Sequence, residues 1–168
     1  MKHSRILLVV LMGSVLFQSC ATPYAGRMPD LSLRGDKAEK EYGEFKFRET
    51  FWHQSSRDYQ MGSAQTSYTI ESLRPLISQV SPLANSKVAT ADYWTTAQNV
   101  FLGVGLASLV GFFAAGQEST KSAFALGVYG GSLSSIACGF VSFFQYSQAA
   151  TLYNNDLRAK LEVKVAEF

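Results

Sequence analysis

Two uncharged apolar stretches decide the fold of this chain: residues 100–116 read VFLGVGLASLVGFFAAG, and residues 122–144 read SAFALGVYGGSLSSIACGFVSFF. They are about 17 and 23 residues long, close to the roughly 20 residues with which a helix crosses a hydrocarbon core. The polar segment 117–121 between them has a length typical of a connection between antiparallel helices. The pattern predicts a transmembrane helical hairpin with spans near 97–116 and 122–146.

Signals at the ends of these stretches predict that both helices extend beyond a membrane. Ser81 stands before Pro82, a combination typical of an N-cap hydroxyl followed by proline at the first helical position. Ser119 and Thr120 are candidate caps for the second helix. Because no proline follows, that helix is predicted to continue through an amphipathic tail, and the hairpin is assigned to residues 82–168. The apolar positions of the tail are Tyr146, Tyr153, Leu157 and Leu161.

Small residues recur at four-residue spacing on both predicted helices. Small side chains let two backbones approach closely, which drives helix association in lipid. The spacing therefore predicts that one face of each helix packs against the other, although glycine is also common in transmembrane helices for other reasons. The predicted packing faces are Gly103, Ala107, Gly111 and Ala115 on the first helix, and Gly127, Gly131, Ser135 and Gly139 on the second.

The amino terminus has the order of an export signal. Lys2 and Arg5 form a positive start, and residues 6–17 form an apolar run of about 12 residues, which is too short to span a bilayer. Small Ser19 then precedes Cys20, which would become the first residue of a cleaved chain. A thiol at that position is the group to which a diacylglycerol is attached through a thioether.

Over residues 16–20 the chain resembles a bacterial lipoprotein precursor. Ser19 and Cys20 fit the strict cleavage pattern, whereas Phe17 and Gln18 stand where the usual box has leucine and a small residue. The resemblance implies a signal peptide over 1–19, cleavage between Ser19 and Cys20, and a covalent diacylglycerol and acyl chain on Cys20. The alternatives are an ordinary secretory signal with an incidental cysteine and an uncleaved anchor.

Aromatic residues and the export signal together predict the orientation of the hairpin. Tyr93 and Trp94 precede the first span and Tyr146 follows the second, so these rings are expected to form an aromatic belt at one interface. An exported Cys20 places both termini outside the cytoplasm. Basic residues near the spans slightly favour the reverse, but the translocated amino end takes priority. We expect a protein of the bacterial inner membrane facing the periplasm, narrowly favoured over the outer membrane.

The stretch between the anchor and the hairpin is predicted to be small and exported. Residues 20–40, with glycine and proline among scattered charges, are interpreted as a lipid-anchored flexible tether. Residues 41–81 are interpreted as a partly irregular segment. Within it, Phe45, Phe47 and Phe51 alternate with polar residues and predict a short strand or a short hairpin. The following Ser- and Gln-rich stretch offers no evident partner strand.

The same segment also contains a helical pattern. Ile70, Leu73, Leu76 and Ile77 recur at helical spacing and predict a short helix that ends near Val80. The predicted fold class is therefore mainly α, a long antiparallel transmembrane hairpin with a small exported segment that contains a short strand. The residues expected to pack this segment on the ends of the long helices or on another protein are Phe45, Phe47, Phe51 and Trp52.

The inventory of reactive side chains points away from catalysis. His53 is the one histidine left after removal of the signal, and no Asp or Cys stands near it in sequence to orient it. Cys138, inside an apolar run, is interpreted as an inert small residue at a helix contact. With Cys20 committed to lipid, we expect no disulfide, no metal site and no cofactor beyond the covalent lipid. The glutamates interpreted as a solvated face are Glu39, Glu41, Glu44 and Glu49.

Composition and anchorage lead to three functional hypotheses. The net charge of +2, without a basic cluster beyond the signal, gives no indication of nucleic-acid binding. The leading hypothesis is a non-enzymatic cell-envelope lipoprotein, an accessory or assembly subunit that contacts the bilayer and an envelope protein. The second is a homo-oligomer of hairpins that forms a ring or narrow pore, and the third is an enzyme. The candidate pore-lining residues are Ser132, Ser134, Ser135 and Ser142.

Overall fold

The chain is mainly helical, as predicted. The computed structural model describes residues 24–49, 58–63 and 66–163. The chain divides into two compact units. The hairpin unit contains Asp92–Ser142, and the mixed unit contains Ala21–Ala91 and Phe143–Phe168. The elements in chain order are α1 (Asp36–Phe45), β1 (Phe47–Glu49), β2 (Asp58–Met61), β3 (Ser67–Thr69), α2 (Arg74–Val80), α3 (Pro82–Ala114) and α4 (Glu118–Leu161).

Helices α3 and α4 confirm the prediction of two long apolar helices, and both are long and apolar enough to cross a membrane. The Oγ of Ser81 accepts a hydrogen bond from the backbone N–H of Ala84 at 3.0 Å, so the predicted N-cap of α3 is present. The predicted caps of α4 are wrong. The N–H of Lys121 bonds to the carbonyl of Gln117 at 3.1 Å, which starts the helix at Glu118, before Ser119 and Thr120.

The mixed unit contains a three-stranded antiparallel sheet in the order β1-β2-β3. Phe47 pairs with Met61, and Tyr59 pairs with Tyr68. The predicted strand is therefore only partly right, because its first residues belong to α1, and its partners β2 and β3 arise where few strand signals were found. Phe45 ends α1 and Phe47 begins β1, and both are buried. Their alternation reflects a shared core and not one continuous strand.

The core of the mixed unit is built around the carboxyl-terminal part of α4. Its apolar residues recur at helical spacing and are fully buried, as the amphipathic tail predicted. Helix α2 adds Leu76, Ile77 and Val80, and it starts at Arg74, a few residues after the predicted start. Helix α4 ends at Leu161 and is followed by Glu162, which has a left-handed backbone conformation. The N–H of the next residue, Val163, bonds to the carbonyl of Arg158 at 3.1 Å. The buried α4 residues are Tyr146, Ala149, Ala150, Tyr153, Leu157 and Leu161.

Residues 24–34, here called the strap, replace most of the predicted flexible tether with a packed segment. The N–H of Tyr24 donates to the carbonyl of Ser72 at 2.7 Å, and Pro29 is buried. Gly35, with φ of +60°, turns the strap into α1, a backbone conformation that glycine adopts without strain. Tether residues 36–40 are helical. The strap side chains that pack on the core are Tyr24, Met28, Leu31 and Leu33.

Several predicted residues lie outside the described part of the chain. They include the signal peptide with Ser19 and Cys20, the aromatic pair Phe51 and Trp52, and His53. The predictions made for them therefore stay predictions.

Candidate functional site

The hairpin unit carries an unusually apolar surface. Only 6% of the most apolar stretch of α3 and 17% of that of α4 are buried among the described residues. In water each large apolar side chain would forgo about 1.5–3 kcal/mol of burial free energy, so a surface of this extent is typical of contact with lipid or an apolar partner. The exposed large apolar residues include Val100, Leu102, Leu106, Phe113, Leu126, Leu133, Ile136 and Phe140.

Close glycine contacts hold the two helices of the hairpin unit together. A Cβ placed at Gly131 would lie 2.7 Å from the backbone N and 2.8 Å from the Cα of Gly105. Gly127 lies against Ser108, and Gly139 lies against the side-chain amide of Gln98. Residues further along α3 therefore contact residues closer to the start of α4, which is the order expected for an antiparallel pair. The predicted α4 face, on which Ser135 is also buried, is the face turned toward α3.

The packing face predicted for α3 needs correction. A Cβ at Gly103 would meet no described atom of another element within 4 Å, whereas Gly105 lies against Gly131 and Ser132. Two residues turn a helix by about 200°, so Gly103 and Gly105 lie on nearly opposite sides. Gly111 does face α4, against the ring of Phe124. The remaining predicted positions, Ala107 and Ala115, are half-buried.

Polar side chains also lie along this helix contact. The hydroxyls of Thr95 and Ser142 share a hydrogen bond of 2.7 Å and are almost fully buried. Hydrogen bonds between helices stabilise apolar pairs where water is absent. Two of the serines proposed to line a pore, Ser135 and Ser142, therefore lie inside the contact of a single hairpin, whereas Ser132 is exposed and Ser134 half-buried. Cys138 is buried and has a free thiol.

Of the residues predicted to form an aromatic belt, Tyr93 is exposed, whereas Tyr146 is buried. Tyr93 is 67% exposed and packs edge-to-face with Trp94 at 5.6 Å between ring centroids. Tyr146 is fully buried, and its hydroxyl donates to the carboxylate of Glu71 at 3.1 Å. At this residue α4 has already entered the core of the mixed unit, so the ring is not available to an interface.

Helix α4 binds the first strand through two adjacent side chains. The ring of Tyr153 stacks on that of Phe47 with 3.9 Å between the ring centroids, and the Tyr153 hydroxyl donates to the carbonyl of Phe45 at 3.2 Å. Burial raises the pKa of the Tyr153 phenol, so the group stays a protonated donor. The amide of Asn154 accepts from the N–H of Phe47 at 2.8 Å and donates to its carbonyl at 3.0 Å. Asn154 thus pairs with the outer edge of β1 as a neighbouring strand would.

A charged cluster fixes the strap to α1, and it corrects the interpretation of Glu41 as solvated. Glu41 is only 5% exposed, and both its oxygens accept from the guanidinium of Arg27 at 2.8–3.0 Å. It also accepts from the N–H of Asp30 at 2.7 Å. Arg27 in addition donates to Glu44 at 2.6 Å and lies over the ring of Phe45. The hydrogen bonds to Glu41 raise the pKa of Arg27.

We expect Glu41→Gln to loosen the strap without unfolding the mixed unit. The amide keeps the volume but loses the charge that strengthens each hydrogen bond. Exchange of the Asp30 amide hydrogen should become about tenfold faster, equivalent to about 1.4 kcal/mol of local protection. Glu39→Gln on the exposed side of α1 is the matched control. Equal exchange at Asp30 in both variants would contradict the role of Glu41.

Among the described residues, no group of three or more His, Cys, Asp or Glu side chains could hold a metal ion. The main feature of the described residues is the apolar hairpin, which continues along the chain into the packed mixed unit. Comparison with known protein families, with curated proteins and with solved structures finds no match for this chain.

Proposed function

We propose that this protein is a non-enzymatic cell-envelope lipoprotein, held by a lipid on Cys20 and by a bilayer-spanning hairpin. The observation that supports the hairpin best is the low burial of the apolar stretches of α3 and α4. A core helix of a water-soluble protein would bury such side chains, because leaving them in water is unfavourable. The order of charge, apolar run, Ser19 and Cys20 supports the lipid.

The mixed unit is then the part available to other proteins at the membrane surface. Its continuous core and its ties from α4 to β1 provide a folded body, which supports a role as an accessory or assembly subunit. The partner in this proposal is an envelope protein of the inner membrane, facing the periplasm. Crosslinking in the native envelope with a reagent at an exposed strap residue such as Ser32 would identify that partner.

Topology is the direct test of the spanning hairpin. In a Cys138→Ala background, Thr151→Cys should react with a membrane-impermeant maleimide from the periplasmic side, whereas Ser119→Cys should react only after the inner membrane is opened. Both positions are exposed in the fold, so burial does not explain a difference between them. If both cysteines react from the periplasmic side, the hairpin does not span the membrane. If only Ser119→Cys reacts from that side, the orientation is opposite to the one proposed.

Acyl labelling tests the lipid independently of the hairpin. Cys20→Ser should abolish incorporation of labelled fatty acid and leave an unprocessed precursor, while Cys138→Ser should keep both label and processing. Because the hairpin provides its own anchorage, we expect the Cys20→Ser protein to stay in the membrane fraction. Processing and labelling equal to the parent would mean that Cys20 carries no lipid.

A further inference from the structure

The strap is fixed to the body of the mixed unit close to the lipid-attachment position. Tyr24 donates its backbone N–H to Ser72 at 2.7 Å, and its ring packs edge-to-face on Tyr68 at 5.6 Å. Three residues later, Arg27 forms the ion pair with buried Glu41. A segment tied at both of these points does not act as a flexible spacer.

Chain length then limits the distance between Cys20 and this attachment point. The two positions 20 and 24 are four residues apart, which a fully extended chain spans in about 14 Å. The flexible tether predicted from sequence over 20–40 would have reached about 70 Å. The difference decides whether the lipid is held at the surface of the mixed unit or can enter a membrane far from it.

The attachment point also lies near the place where α4 leaves its apolar stretch. Ser72 follows Glu71, whose carboxylate accepts the hydrogen bond from the hydroxyl of Tyr146. Tyr146 stands two residues after Phe144, the last large exposed apolar residue of α4. One backbone hydrogen bond, one peptide unit and one side-chain hydrogen bond therefore connect Tyr24 to the end of the second apolar span.

We infer that the lipid on Cys20 and the hairpin insert into the same leaflet of one membrane, with the lipid beside the Phe144 end of α4. This inference rests on the proposed function, since it requires both the lipid and the spanning hairpin. It assigns a role to the strap: it holds the mixed unit against the membrane surface and prevents the chain from bridging two membranes.

Short linkage also makes the two anchors act together. A second contact joined through a few residues experiences an effective concentration in the millimolar range, which falls with roughly the −3/2 power of linker length. The strap keeps the linker at the short end of that range.

Photocrosslinking from the lipid tests the inference in the full-length protein in its native membrane. A fatty acid that carries a diazirine near its carboxyl group is incorporated at Cys20, and after irradiation the peptides joined to the Cys20 lipopeptide are identified. We expect conjugates with peptides around Phe143 and Phe144 and not with peptides around Leu126, near the α3–α4 connection. Insertion of twenty Gly/Ser residues between Thr22 and Pro23 should lower the yield about tenfold.

The outcomes separate the inference from the proposed function. If no lipopeptide at Cys20 is found, the proposed lipid anchor fails. If the lipopeptide is present but its yield with Phe144 peptides is the same in the parent and the linker variant, the single-leaflet inference is wrong. A double variant, Tyr24→Pro with Arg27→Ala, should lower the yield in the same direction as the linker, because it removes the backbone N–H that bonds to Ser72, the ring contact with Tyr68 and the ion pair while keeping the chain length. An unchanged yield in that variant would also overturn the inference.

Discussion

Gly131→Leu should separate the two helices of the hairpin unit. The new side chain would enter space held by backbone, because its Cβ alone would lie 2.7 Å from the N of Gly105 and 2.8 Å from the carbonyl oxygen of Phe101. Backbone atoms of a helix cannot rotate away as a side chain can, so the helices must move apart. We expect destabilisation of about 2–3 kcal/mol, measured as loss of protease resistance of the hairpin in mild detergent.

Gly130→Leu is the matched control for this prediction. It makes the same chemical change at the neighbouring position, so helix propensity and hydrophobicity change equally. A Cβ at Gly130 meets no described atom of another element within 4 Å, and leucine there would lie on the exposed surface of α4. Equal protease sensitivity of the Gly130 and Gly131 variants would show that the Gly105–Gly131 contact does not hold the hairpin.

The two long helices could be predicted from sequence because their signals are local. Uncharged runs of spanning length indicate helices without knowledge of their partners, and the Ser81–Pro82 pair marks a helix start by its own chemistry. The packing face of α3 could not be chosen in this way. Gly103, Gly105 and Gly111 place small residues on several sides of that helix, and only the contact with Gly131 decides among them.

The strap and α1 differ from the sequence prediction because the polarity of a segment does not by itself indicate solvent exposure. Gly35 and the charges around it are typical of a flexible linker, yet Glu41 is buried by pairing with Arg27. The sequence alone does not distinguish a buried glutamate that is paired with an arginine from an exposed glutamate. Tyr146 shows the opposite case, since a ring near the end of an apolar stretch suggests a membrane interface but here belongs to a core.

The contact between Asn154 and Phe47 was inaccessible to sequence reasoning for a different reason. The two residues are 107 positions apart, and an asparagine near the end of a helix carries no local sign that it will pair with a strand edge. The sheet itself depends on such long-range pairing, since its strands have only three or four residues each. Strands of this length are stabilised by the helix beneath them more than by their own propensity.

Tyr153→Ala should therefore release α1 and β1 from α4. The substitution removes a fully buried ring stacked on Phe47 and the hydrogen bond to the carbonyl of Phe45. We therefore expect the free energy of unfolding of this region to fall by about 3–4 kcal/mol. Hydrogen exchange of the amides in residues 36–49, measured on the full chain in detergent, should speed up by about 100-fold or more if opening of this region limits exchange.

Two controls distinguish the ring from the hydroxyl and from the loss of an aromatic residue as such. Tyr153→Phe keeps the stacked ring and removes one hydrogen bond, so the free energy of unfolding should fall by only about 1 kcal/mol. Tyr93→Ala truncates an exposed ring on α3 and should leave exchange in residues 36–49 unchanged. If Tyr153→Ala behaves like Tyr153→Phe, then stacking on Phe47 contributes little, and Asn154 alone holds β1 on the helix. That result would shift the stability of the sheet from ring packing to the paired amide.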